Sequence, residues 1–167
     1  MSLAKGSRSF YRLTEAVRDY LLTLDDVNTV TFGDITEVDL NKQTIFPLAH
    51  IMVNNVGLSN GTLTFNVTVL AMDIVNEDKN INANNGDSRA TDDTFYGVDN
   101  EQDVLNTQLA VTNLLNQSLS RASLRGNKFE LTGEGTCEPF TDRFENKLAG
   151  WAYTFTAFVE NDISICE

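Results

Sequence analysis

The segment LAGWAYTFTAFVE (148–160) fits one kind of regular structure. Trp151, Tyr153, Phe155, Ala157 and Val159 alternate with Ala152, Thr154, Thr156 and Phe158, and a period of two assigns each set to one face of a β-strand. The first set is bulky and apolar and reads as core. The second is mostly small, so Phe158 stands out on a face that an isolated domain would leave to water. The segment TLTFNVTVLAMDIV repeats the pattern, with Leu63, Phe65, Val67, Val69 and Ala71 on one face and Thr64, Asn66 and Thr68 between them. Gly57 to Gly61, GLSNG, reads as the turn before it.

Two other segments have helical period. From Ser9 to Leu24, apolar residues recur at Phe10, Leu13, Val17, Tyr20, Leu21 and Leu24, the three- and four-residue spacing of one buried stripe. A second helix is predicted from Asn100 or Glu101, with Val104, Val111, Leu115, Leu119 and Ala122 on one side and Leu105, Leu109 and Leu114 widening the stripe. Acids at its start and Arg121 and Arg125 at its end suit the helix dipole. Between Asn28 and Val56, TVTFGDITEVDL and TIFPLAHIMVNNV read as two strands joined near Asn41 to Gln43, with Pro47 at an edge or a strand start because it lacks a ladder donor. KFELTGEGTC reads as a short strand paired antiparallel with the closing one.

The expected order is helix, three strands, long loop, helix, two strands. That is an α+β fold, an antiparallel or mixed sheet of about five strands with two main helices packed on one face. The 167 residues suit a single domain spanning 1–167. The start of the chain lacks an apolar run with a cleavage site, and no segment is long and apolar enough for a membrane span, so a soluble, unexported protein without membrane association is expected. Cys137 and Cys166 fall near opposite ends of the last hairpin and are expected as two reduced thiols.

Charge is the strongest compositional signal. The chain has 24 acidic and 12 basic residues, a net charge of −12, which opposes attraction to a nucleic-acid backbone. Much of the excess lies in or beside a long Asn/Asp/Gly-rich loop at about 76–100, as Asp73, Glu77, Asp78, Asp87, Asp92, Asp93, Asp99, Glu101 and Asp103. Its oxygen-rich side chains would suit a hard cation such as calcium, but the EF-hand order of acids, glycine and terminal glutamate is missing.

Catalytic motifs are not evident. The one histidine, His50, lies mid-strand in LAHIMV without a nucleophile motif around it. There is no phosphate-cradling glycine loop, no dinucleotide fingerprint and no paired Cys/His spacing, so neither an enzyme nor a cofactor is expected. Apolar residues instead fall on both faces of the second strand, with Phe46, Leu48 and Met52 opposite Ala49, Ile51 and Val53. With His50 and Phe158, the first three are candidates for a subunit interface.

The layout FYRLTEAVRDYLLTL, FPLAHIMV, TLTFNVTVLAMDI, DVLNTQLAVTNLLNQSL, FELTGEGTCEPF and LAGWAYTFTAFV resembles the tail terminator, or tail-completion, family of tailed bacteriophages. The resemblance covers nearly the whole chain. It implies a homo-oligomeric ring, hexameric or possibly dodecameric, at the head-proximal end of a tail, assembled in the host cytoplasm and carried in the virion. Such a ring ends tube polymerisation and meets the tail tube and the neck or portal-proximal proteins, while DNA passes without specific binding. On that reading the nine acids above face the channel or a neighbouring ring. Two other readings stand beside it: a head-completion or neck adaptor ring, and a free-standing binding or enzymatic domain whose acidic loop holds calcium.

Overall fold

A computed structural model describes residues 8–40, 42–75, 101–121, 129–141 and 147–161. Helix α1 spans Ser9–Leu21 and buries Leu13, Val17 and Leu21 completely, the stripe that its spacing predicts. Ser9 is also buried, and its Oγ donates to the Glu160 carbonyl at 2.6 Å. Five strands follow or interleave: β1 (Thr29–Phe32), β2 (Leu48–Leu58), β3 (Thr62–Ile74), β4 (Phe129–Thr141) and β5 (Leu148–Glu160), with helix α2 (Glu101–Ser120) between β3 and β4. They form one sheet in the order β1-β2-β3-β5-β4. The fold is α+β, with the expected order of elements.

The sheet is mixed: β1 runs parallel to β2, and the other three pairings are antiparallel. The parallel pairing follows from the connection. TVTFGDITEVDL does not continue as one strand, because Gly33 takes a φ of +113° that ends the extended run. Asp34 then caps a short 3₁₀ turn, Ile35–Glu37, by accepting from the Thr36 N–H at 2.9 Å. A second 3₁₀ turn, Gln43–Ile45, precedes Pro47, which sits just before β2 begins. At the other edge, β4 runs past Cys137 to Thr141, longer than expected, with a bulge between Thr132 and Thr136.

Both helices lie on the sheet face that carries Val67, Val69, Tyr153, Phe155 and Val159, and the main core lies between them and that face. The stripe of α2 is narrower than predicted. Leu109 and Leu114 are 40% and 42% exposed, while Gln108 and Thr112 are buried. Burial of Thr112 is cheap because its hydroxyl donates to the Leu109 carbonyl at 2.9 Å. Among the described residues, no helix is long and apolar enough to cross a membrane.

Candidate assembly surface

The sheet face away from the helices, the outer face, is built in rows across β2, β3, β5 and β4. The lowest complete row is Leu48, Met72, Gly150 and Phe140. A Cβ on Gly150 would overlap the Ala71 carbonyl and come within 2.8 Å of Met72 Cα, so glycine lets β3 and β5 lie close. This lower half is covered by the chain itself. Ile35, Val38, Leu40, Ile45 and Phe46, all from the β1–β2 connection, pack against Leu48, Met72, Phe140 and Leu148.

The next row holds His50, which is fully buried. Its Nε2 lies 2.9 Å from the Gly33 carbonyl and its Nδ1 2.7 Å from Thr31 Oγ1. A carbonyl only accepts, so Nε2 carries the proton and Nδ1 accepts from the threonine hydroxyl. Burial lowers the imidazole pKa, with the Gly33 hydrogen bond and Asp34 opposing. His50 is thus a neutral staple that holds β1 and its following turn to β2.

The upper half, toward Leu58 and Glu160, differs. Asn66, Thr68, Thr154 and Thr156 form a ladder: Asn54 Nδ2 donates to Asn66 Oδ1 at 2.7 Å and to Thr68 Oγ1 at 2.8 Å, Thr68 and Thr154 hydroxyls meet at 2.9 Å, and Asn66 Nδ2 donates to Thr156 at 3.3 Å. No helix or connection among the described residues covers it. Phe158 ends the ladder at 43% exposure, paired across to Glu130 and Thr64.

The predicted interface residues therefore separate. Phe46, Leu48 and His50 are buried by their own chain and offer no subunit surface, a correction whose cause is the returning connection. Met52 is half-buried and Phe158 exposed. Among the acids, Asp73 belongs to β3 rather than to a loop. It is partly buried and accepts from the Ile74 N–H at 2.8 Å, and burial raises its pKa. Glu101 and Asp103 lie in the first turn of α2, where negative charge stabilises the helix. Glu77, Asp78, Asp87, Asp92, Asp93 and Asp99, and with them the calcium reading, lie outside the described residues, as does Cys166. Cys137 is unpaired by any disulfide, with Sγ 3.5 Å from Thr112 Oγ1.

Four exposed apolar residues escape sequence reasoning: Tyr11, Leu22, Phe32 and Leu58, at 61%, 52%, 52% and 82% exposure. Phe10 meets Tyr11 and Phe32 edge-on at 5.9 and 5.6 Å. A cleft between α1 and β1, lined by Tyr11, Arg18, Val30 and Phe32 among others, opens beside them. No protein-family model matches the chain, and no characterised protein matches it in sequence.

Proposed function

We propose that this chain is a structural virion protein that forms a ring at the head-proximal end of a phage tail. The ring ends tube polymerisation and joins the tail to the neck, and DNA passes through its channel. The observation that carries the reading is the upper half of the outer face, which no helix or connection among the described residues covers. A domain closed by helices on one side keeps a hydrogen-bonded polar surface on the other, ending in an exposed Phe158. Such a surface suits repeated contact with identical neighbours and requires no chemistry. The resemblance in element order supplies the place of the ring.

The net charge of −12 fits the same role. Acids along a channel keep phosphate at a distance and let the duplex slide. Glu101 and Asp103 at the start of α2, with the acids of 76–100 that precede them, are the proposed channel group; Asp73, held in β3, is left out of it. Neutralising most of the group should leave assembly intact and slow genome passage, and normal infection by such a mutant would sink the channel assignment.

The test is the mass of the purified protein by light scattering, followed by particle imaging. A ring of about six subunits supports the terminator reading, and about twelve would move the assignment to a neck adaptor. A chain that stays monomeric with tail tubes present would refute both.

A further inference from the structure

Among the described residues the sheet has a free edge without charged or proline protection. Strand β1 pairs only with Leu48 to Ile51 of β2, so β2 from Met52 to Leu58 has no neighbour on that side among the described residues. Free edges ordinarily carry charge or proline to prevent strand addition. Here, in a chain of net charge −12, no Asp, Glu, Lys or Arg occurs from Gln43 to Met72. The bulge between Val53 and Asn55 leaves Asn55 to Leu58 as a regular stretch, equal in length to β1, which itself pairs.

The opposite edge is the reverse case. Strand β4 exposes Glu130, Glu134 and Glu138. Two β4 edges would repel each other, and two β2 edges meeting would close a two-fold dimer rather than propagate. An acidic edge meeting a neutral one remains. Along α1 and its N-cap, Arg8, Tyr11, Glu15 and Arg18 are exposed at three- and four-residue spacing, two cations to one acid, and Arg18 lines the cleft next to β1. Arg18 also pairs with Asp19 at 2.9 Å, both ends well exposed, a bond that costs little to exchange.

We propose that copies of this chain join sheet to sheet: the free edge of β2, flanked by α1, receives the acidic edge of β4 from the next copy. The contact rests on the ring reading above and gives it a geometry. It is heterologous, so each subunit uses both edges and the chain of contacts can close. Phe158, paired across to Glu130, lies next to the donated edge and enters the same contact.

Charge exchange tests it. One variant carries Glu134→Arg and Glu138→Arg; the other carries Arg8→Glu and Arg18→Glu. Each alone places like charges at every contact and should weaken assembly about tenfold or more in a light-scattering titration. Mixed in equal amounts, they alternate around the ring, which restores opposite charges at every contact and should regain the wild-type mass. Amide exchange on the wild-type chain gives a second reading, with protection appearing over Asn55 to Leu58 only on assembly. Variants that assemble normally, a mixture that stays monomeric, or a ring whose β2 edge stays unprotected would overturn the edge pairing and leave the ring standing. A wild-type chain that never assembles overturns both.

Discussion

Below His50, the outer face of the sheet meets five apolar side chains from its own β1–β2 connection. Above it, β2, β3 and β5 carry threonine and asparagine bonded to one another. The strands are continuous, so the change in composition marks where the cover ends. Where a covering segment exists, the rows carry Leu48, Met72 and Phe140. Where it stops, Thr64, Thr68, Thr154 and Thr156 keep the β-branched shape that strands favour without presenting apolar area to water. Met52, half-buried beside Thr68, and Phe158, exposed beyond the ladder, are the apolar exceptions that make the upper half look like a contact surface.

The comparison breaks most easily in the lower half. Leu48 is 1% exposed between the connection and the sheet. Leu48→Ala should cost about 2–5 kcal/mol of folding stability, read from urea unfolding. A loss below about 1 kcal/mol would mean that the connection does not pack as a core and that the two halves are alike.

His50, at the boundary, has a smaller but more specific effect. His50→Leu leaves the Gly33 carbonyl and the Thr31 hydroxyl without their buried partner, at a cost of about 1–3 kcal/mol. The folded-state pKa of His50 is depressed, so the unfolded chain protonates first as pH falls. The wild-type advantage should therefore be full above the ordinary imidazole value of about 6.5 and shrink as pH drops through it. Urea midpoints of both proteins between about pH 5 and 8 check this; a gap that widens toward acid would show that the ring is held charged.

Much of this layout was legible in the residues. The period of two in β3 and β5 and the stripe of α1 fix faces directly, because each burial pattern is carried by contiguous sequence. The lower cover was not legible. Ile35, Val38, Leu40, Ile45 and Phe46 have no common period, and what turns them back over the sheet is a single backbone angle at Gly33 and the Asp34 cap. Missing that turn is why Phe46, Leu48 and His50 read as outer surface and TVTFGDITEVDL as one continuous strand. Phe158 was legible as the large residue on a threonine face. Tyr11, Leu22, Phe32 and Leu58 were not, since their exposure depends on where neighbouring elements stop.

In the upper half the expected effects are smaller. Thr68→Val keeps the shape of the side chain and removes the hydroxyl that bonds Asn54 and Thr154. A loss of about 1 kcal/mol in urea unfolding is expected. A neutral result would reduce the ladder to ordinary solvated surface and remove part of its contrast with the apolar rows below.

Phe158→Asp should change folding modestly and assembly most. At 43% exposure the ring is already more than half buried, and aspartate is a poor strand residue placed opposite Glu130, so unfolding should move by about 1 kcal/mol. The aspartate would face Glu130 across the pair and add like charge at the edge proposed to meet the next copy. Light scattering should then find folded monomer where the wild type gives a ring. A ring of normal size would remove Phe158 from the subunit contact, and the upper face would have to be assigned to water or to the tube beneath the ring. A large loss of stability would instead place Phe158 in the core, and the division of the outer face into a covered and an open half would have to be redrawn around it.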